Sequence, residues 1–255
     1  MRDFLRRSWA LALPAALYFY VFPYLPELRS PNELCRLHQT RALVDHGTIE
    51  INQVLRDFGY VGDLSCVAVA RDEAGRVVER QPCPQVRGQP RFREEHYFPS
   101  KAPLLSVAAT PVYAALKAWR GSPQAVGEVP LVFFARLFVT ILPAALLLVF
   151  VRRFLRAYAD ARVADVLTVA YALGTLAFSY AELFMSHQTT GVLLFLCFYA
   201  AWRTGRGEWP GWGYAVCGLF AGLSVAAEYT AALALLPLAG YTLWTAYARA
   251  GEPSA

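Results

Sequence analysis

Apolar and polar residues fall into long separate blocks along this chain. Six apolar segments are each close to the about 20 residues that a bilayer core requires, and they cover residues 9–26, 129–151, 163–182, 186–203, 211–227 and 229–248. A single long polar segment, from Ser30 to Pro103, separates the first of them from the others. We therefore predict an all-α polytopic membrane protein with about six transmembrane helices and a long extracytoplasmic first loop.

The same pattern predicts three parts of the chain. They are a cytoplasmic N-terminus with the first transmembrane helix (1–26), an extracytoplasmic loop with juxtamembrane helices (27–128) and a five-helix transmembrane region with a cytoplasmic C-terminus (129–255). The composition agrees, because 56% of residues are hydrophobic and only 17% are charged, against about 25% charged in soluble domains. The stretch 25–28 is a poor signal-peptidase site, so we expect an uncleaved anchor.

Basic residues give the orientation of these segments. Ten of them lie in the short connections that we place inside: Arg2, Arg6, Arg7, Arg152, Arg153, Arg156, Arg162, Arg203, Arg206 and Arg249. The tight turns at 185–188 and around Glu228 contain none, which places both turns and the long loop outside. The net charge of +5 therefore reflects topology, and no basic stripe indicates nucleic-acid binding.

The long loop opens with a predicted amphipathic helix. Ser30 is a suitable N-cap, Pro31 suits the first helical position and Glu33 completes a capping box. Gly47 is a typical residue for the C-terminal end. An acidic residue is thereby fixed at the start of a helix close to the membrane.

A β-hairpin is predicted over residues 64–84, around a turn at 72–75. In that register Cys66 and Cys83 lie opposite each other and would oxidise to a disulfide outside the cytoplasm. Two free thiols are the alternative. Cys35 is left unpaired.

The segment 102–119 is interpreted as a helix lying on the outer leaflet, with a membrane span as the alternative. It is short, carries Pro111 in its middle and is flanked by Lys101 and Arg120.

Ionisable side chains collect at the predicted outer surface. The first loop, the second span and the two outer turns contribute Glu33, Lys101, Arg136, Glu182, His187 and Glu228. Glu33 could instead act only as a helix cap, Glu182 or Glu228 as a solvated turn residue, and His187 as an interfacial histidine. Arg136 could instead pair structurally with one of these acids. Taken together they suit transfer from a lipid-phosphate donor, in which a carboxylate deprotonates an acceptor hydroxyl and cations stabilise the leaving phosphate. The sequence contains no metal-ligand spacing, phosphate-binding loop or dinucleotide fingerprint.

Short motifs in the same order resemble those of the membrane-embedded GT-C glycosyltransferases. They are Asn32-Glu33-Leu34-Cys35-Arg36, residues 43–51, Tyr97-Phe98-Pro99-Ser100-Lys101-Ala102-Pro103, Ala135-Arg136-Leu137, Gly174-Thr175-Leu176 followed by Tyr180-Ala181-Glu182-Leu183 and Ser186-His187, and residues 218–229. The chain is most similar to the N-terminal portion of bacterial family-39-like members, the group of protein O-mannosyltransferases and the lipid A aminoarabinose transferase. We therefore expect part of a longer enzyme or a shortened relative.

The resemblance implies a bacterial inner-membrane enzyme that moves a sugar from a polyprenyl-phosphate carrier to an extracytoplasmic acceptor. Glu33 would be the catalytic base, and Lys101 and Arg136 would face the donor phosphate. Further residues are expected to line the cavity: Asn32, Arg36, Glu182, His187 and Glu228. No cofactor is implied with certainty, and a divalent metal has no supporting motif. The alternatives are a non-catalytic membrane protein, either a truncated pseudoenzyme or a lipid-binding partner subunit, and a transporter.

Reporter fusions test the predicted orientation. We expect a fusion at Arg156 to report the cytoplasm and one at His187 to report the outside. The reason is that the connection 152–162 is rich in arginine, whereas the turn 185–188 contains none. A fusion at Arg156 that reported the outside would mean that the segment 102–119 spans the membrane.

Overall fold

The computed structural model describes residues 2–24, 30–72, 74–83 and 95–250. The stretch 25–28, on which the expectation of an uncleaved anchor rests, lies outside the described residues, as do Glu73 and Pro84 of the predicted hairpin. The chain forms two compact units. We call Glu27–Val132 the loop unit, and Met1–Pro26 with Phe133–Ala255 the helical unit.

The described part of the chain is mostly helical, with one small sheet. The helices are α1 (Arg2–Val21), α2 (Pro31–His46), α3 (Asn52–Phe58), α4 (Leu104–Ala108), α5 (Thr110–Arg120), α6 (Glu128–Ala135), α7 (Leu142–Leu155), α8 (Ala161–Gly174), α9 (Leu176–Ala181), α10 (Ser186–Gly205), α11 (Gly213–Ala227) and α12 (Ala231–Ala250). A 3₁₀ turn covers Phe22–Tyr24, and a π-helical turn, Arg136–Ile141, joins α6 to α7. The strands are β1 (Leu64–Arg71), β2 (Val77–Pro82) and β3 (Glu95–Pro99).

Helix α2 begins and ends where the sequence predicts. Ser30 is the extended N-cap, and Gly47 ends the helix in the left-handed conformation (φ 64°), with its N–H donating to the Ala42 carbonyl. The predicted capping box is wrong, because the Ser30 side chain makes no capping hydrogen bond. The Glu33 N–H donates instead to the Ser30 carbonyl (3.0 Å), and the residue is fully buried.

The predicted hairpin is confirmed, but it is part of a three-stranded antiparallel sheet ordered β2-β1-β3. Val67 pairs with Pro82, so Cys66 lies beside Cys83, and the two residues are joined by a disulfide with their Cα atoms 5.3 Å apart. The sequence analysis missed β3, which pairs along the other edge of β1.

Strand β3 is held in place by Asn52 at the start of α3. The Asn52 side chain donates to the Glu95 carbonyl (2.7 Å) and accepts from the Tyr97 N–H (2.8 Å). The Ile51 N–H also donates to the Tyr97 carbonyl (2.9 Å). The Tyr97 ring packs into the same apolar cluster as Ile51 and Leu55, so the sheet shares one core with α2 and α3.

The segment 102–119 contains two short helices, α4 and α5, where one was expected. Pro111 lies in the first turn of α5, where a missing N–H leaves no helical hydrogen bond unmade. Both Tyr113 and Lys117 donate to the Asp45 carboxylate of α2, at 2.6 and 2.7 Å. Polar contacts therefore attach this segment to α2.

Two helices among the described residues are long and apolar enough to cross a membrane, Glu128–Leu155 and Ala231–Arg249. Shorter apolar helices cover Ser8–Val21 and Gly213–Ala227. The other predicted spans differ in structure: the segment 163–182 is interrupted at Thr175, whose backbone is extended, and α10 begins with a run of polar residues. Six spans therefore remain a prediction.

Two connections and the C-terminal end of α12, all predicted to be cytoplasmic, meet at one end of the helical unit. The Trp202 indole N–H donates to the Tyr158 hydroxyl (2.8 Å). The Arg249 guanidinium donates to the carbonyls of Thr204 and Trp209, at 2.7 and 2.8 Å. This common end agrees with the alternation of basic and non-basic turns in the sequence.

The Cys66–Cys83 disulfide yields a test of the loop unit. The bridge spans 17 residues, so replacing both cysteines by serine should lower the free energy of unfolding of the unit by about 3 kcal/mol in the loop-entropy model. Mass mapping of non-reduced peptides should find the bridged pair in the native chain. Alkylation of both thiols without a reductant would contradict the assignment.

Candidate functional site

Helix α2 buries charged side chains to an unusual degree. Glu33, Arg36 and Arg41 are 0%, 2% and 1% exposed. Charged residues are almost never so buried unless they are paired or hydrogen-bonded. The surroundings of α2 must therefore supply polar partners. The residues around these partners are the candidate site of the loop unit.

Arg36 joins the start of α2 to the segment that follows β3. Its Nε donates to the Asn32 side-chain oxygen (3.2 Å), and its Nη1 donates to the Ala102 carbonyl (3.3 Å). Glu33 lies on the neighbouring turn of the helix, three residues before Arg36, which is a spacing at which side chains are neighbours. The predicted base and a cation thus lie at the same end of α2.

Lys101 forms an ion pair that the sequence analysis missed. Its Nζ lies 3.6 Å from the Asp63 carboxylate. Ser100, the residue before it, donates its backbone N–H and its hydroxyl to the Asp63 carbonyl, at 3.0 and 2.7 Å. Lys101 was expected to face the donor phosphate, and the structure gives it an acidic neighbour that fixes its position.

Asp63 has an uncommon backbone conformation. Among the described residues it is the one non-glycine residue with positive φ, at 59°. Aspartate tolerates this conformation better than most residues do. The Gly62-Asp63 pair before a predicted strand is the signal in the sequence that could have marked a special turn there.

The Cys35 thiol lies near the charged groups of Arg36, Asp63 and Lys101. Burial raises the pKa of the thiol to about 11, the charges of Arg36 and Lys101 oppose the rise, and the charge of Asp63 adds to it. We call Arg36, Asp63 and Lys101 the α2 charge cluster, together with Asn32, which accepts from Arg36, and Glu33, three residues before Arg36 on the same helix.

The helical unit contains two further groups of predicted residues. Arg136, 1% exposed, begins the π-helical turn, a geometry that is frequent at functional sites. Glu182 is 2% exposed, and within the described part of the chain neither of its carboxylate oxygens has a hydrogen-bond partner. The Arg136 charge acts electrostatically on the Glu182 carboxylate. An acid this buried and without a hydrogen bond is rare in a folded protein.

His187 and Glu228 come together from the two turns that were predicted to be outside. The His187 Nδ1 lies 3.1 Å from a Glu228 carboxylate oxygen. The Tyr180 ring packs edge-to-face on the His187 ring, with centroids 4.6 Å apart. These two turns therefore lie at one end of the helical unit, as the predicted topology requires.

The sequence analysis also missed residues in the middle and the second half of α2. The Arg41 guanidinium lies 3.7 Å from the centre of the Phe58 ring, and its Nη2 donates to the Val126 carbonyl (2.9 Å). Asp45 accepts from α5. These contacts link α2 to the end of α3 and to the segment before α6, so they hold the helix that carries the α2 charge cluster.

No group of three or more His, Cys, Asp and Glu side chains suited to a metal ion occurs among the described residues. Comparisons of the chain with protein-family models, curated proteins and solved structures find no match.

His38 makes the stability of α2 depend on pH. Burial lowers the pKa of His38 from 6.5 to about 4. The folded state then keeps the imidazole neutral while the unfolded chain takes up a proton, so the free energy of unfolding should fall as the pH drops from about 6.5 to about 4. In the full chain, hydrogen exchange of α2 amides, corrected for intrinsic rates, should show this loss of protection.

Replacing His38 by glutamine removes the titrating group and leaves an amide that can donate to the Gly59 carbonyl, the present partner of Nε2 at 3.2 Å. In this variant the α2 amides should lose less protection from hydrogen exchange over that pH range than in the native chain. The matched control is His46→Gln, because His46 is exposed on the same helix. Equal pH dependence in the native chain and in His38→Gln would contradict the assignment.

Proposed function

We propose that the chain is a membrane glycosyltransferase that moves a sugar from a polyprenyl-phosphate carrier to an extracytoplasmic acceptor. The observation that carries the proposal is the fully buried Glu33 in the first turn of α2. It lies three residues before Arg36 on the same helix, and the charges of Arg36 and Lys101 both act on the Cys35 thiol two residues after Glu33. An acid with cations nearby is the combination that this transfer needs.

In the proposed reaction Glu33 takes the proton of an acceptor hydroxyl. The acceptor oxygen forms a bond to the anomeric carbon of the sugar, and the bond between that carbon and the carrier phosphate oxygen breaks. A single displacement of this kind inverts the anomeric configuration. The electron pair of the broken bond stays on the phosphate, which leaves as an anion.

The leaving phosphate is the proposed ligand of Lys101. An ammonium group has three donors, and the Asp63 carboxylate, 3.6 Å away, faces one side of it. Asp63 would hold the lysine in place while the remaining donors contact phosphate oxygens by charge-assisted hydrogen bonds. A phosphate role for Arg136 is a proposal from the sequence pattern alone.

The membrane setting is part of the proposal. It consists of six spans in a bacterial inner membrane, with the loop unit outside. Two helices of sufficient length and apolarity support it, as do the contacts of Trp202 with Tyr158 and of His187 with Glu228. The Cys66–Cys83 disulfide suits an oxidising compartment.

A non-catalytic lipid-binding subunit is the second candidate. The observation that favours it is that Glu33 is 0% exposed, so its carboxylate is not open to an acceptor hydroxyl in this structure. Such a subunit would bind the carrier lipid without needing an ionised Glu33.

Glu33→Gln separates the two candidates. Glutamine has nearly the same shape but cannot accept the proton, so transfer should fall by about 10²–10⁴, while binding of the polyprenyl-phosphate donor persists. Transfer would be measured with the complete native enzyme in membranes or detergent, and α2 hydrogen exchange would report folding. Glu50→Gln is the control, because Glu50 is an acid of the same unit that pairs with His96 (3.0 Å).

Near-native transfer by Glu33→Gln would rule out Glu33 as the base and direct attention to Glu182 and Glu228. Donor binding by the native chain without any transfer would favour the non-catalytic subunit. Loss of α2 protection in the variant would call for the smaller change Glu33→Asp, which keeps an ionisable group and should retain part of the transfer.

A further inference from the structure

The sheet of the loop unit has two different faces. On one face Cys66 and Tyr97 pack against the core built around α2 and α3. Residues alternate between faces along a strand, so Val67 and Val69 of β1 lie on the other side, together with Phe98 of β3.

The second face forms a groove of about 350 Å³. Its apolar floor includes Val67, Val69 and Phe98, and its basic rim is formed by Arg71, Arg80 and His96. Small-ligand pockets run from about 300 to 1,000 Å³, so the groove is sized for a compact ligand.

The rim keeps two positive charges close together. Arg80 is paired with Val69 across the strands, and Arg71 lies two residues further along β1, so the two arginines are diagonal neighbours on one face. Both are exposed. Arg71 donates to the carbonyl of Gly75 (2.9 Å), a neutral partner that does not compensate its charge.

Two neighbouring ionisable groups of the described chain already have partners of their own. Arg76, on the same hairpin, is paired with Asp72 (2.9 Å). Glu50 is paired with the third basic rim residue, His96. Among the residues that the structure describes, the lining of the groove contains no carboxylate. Two like charges side by side on a sheet destabilise it, and an anionic ligand would relieve that repulsion.

We propose that this groove binds an anionic saccharide, meaning a sugar that carries carboxylate or phosphate groups. Guanidinium groups bind both anions through paired charge-assisted hydrogen bonds, while the apolar face of a sugar ring would cover the valine and phenylalanine floor. The groove lies on the face of the sheet rather than along an edge, where an extended peptide would add as a strand. The proposal goes beyond sugar transfer and does not depend on it, because binding needs no donor.

Binding would be measured on the full chain in lipid nanodiscs, with oligogalacturonate as the probe and a neutral galactose oligomer of the same length. We expect the anionic oligomer to bind about tenfold or more tightly than the neutral one, and its affinity to fall as salt rises. A phosphorylated oligosaccharide distinguishes phosphate from carboxylate as the preferred anion, and preference for either supports the proposal.

The double variant Arg71→Gln with Arg80→Gln should lower the affinity for oligogalacturonate by about tenfold or more. The matched control is Arg76→Gln, which removes a positive charge from the same hairpin outside the groove and should stay within about twofold of the native affinity. An intact Cys66–Cys83 disulfide and unchanged exchange of β1 amides would show that the variants fold.

Three results would overturn the proposal. They are equal binding of the neutral oligomer, native affinity in the double variant, and tighter binding of a glutamate-rich peptide or of phosphatidylglycerol in the nanodisc. The last result would assign the groove to a peptide or to a membrane surface instead.

Discussion

The cost of burying charge is the constraint on which the loop unit depends. Glu33, Arg36 and Arg41 lie on one helix with almost no exposure, and each buried charge requires polar partners from elsewhere in the unit. The Arg36 guanidinium donates to the Ala102 carbonyl, and the Arg41 guanidinium donates to the Val126 carbonyl. The paths of the segments after β3 and before α6 are therefore fixed by polar groups on α2 as well as by the apolar core.

The same constraint operates in the helical unit, with two different outcomes. Arg152 and Asp165 join α7 to α8 through paired hydrogen bonds of 2.6 and 3.0 Å, which satisfies both groups. Glu182 shows the opposite: its oxygens are buried and have no hydrogen-bond partner in the described chain. A satisfied pair stabilises helix packing, whereas an unsatisfied acid is a group retained at a cost, which is why Glu182 remains a candidate for chemistry.

Local patterns explain which features the sequence could predict. The bounds of α2 follow from Ser30, Pro31 and Gly47, and the cysteine pair follows from symmetry about one turn, so both need only neighbouring residues. Strand β3 depends on hydrogen bonds from Asn52, more than forty residues earlier. No local pattern contains that information.

The candidate site also contains features that local patterns predict and features that depend on distant residues. Residue types and their order pointed to Glu33 and Lys101, but the partner of Lys101 is Asp63, which is distant in sequence. The break of the predicted span at Thr175 was missed for a related reason. The Thr175 hydroxyl donates to the Tyr171 carbonyl and accepts from the Ala177 N–H. These side-chain hydrogen bonds replace backbone hydrogen bonds of a continuous helix, which is what the apolar pattern predicts.

The alternation of β1 has an evolutionary consequence. Positions facing the core, such as Cys66, are constrained by the disulfide and by packing, whereas Val67, Val69 and Arg71 face the groove. Neighbouring residues on one strand thus meet different physical constraints. Substitutions at every second position could change what the groove recognises while leaving foldability almost untouched, so related chains could diverge in ligand preference and keep the same scaffold.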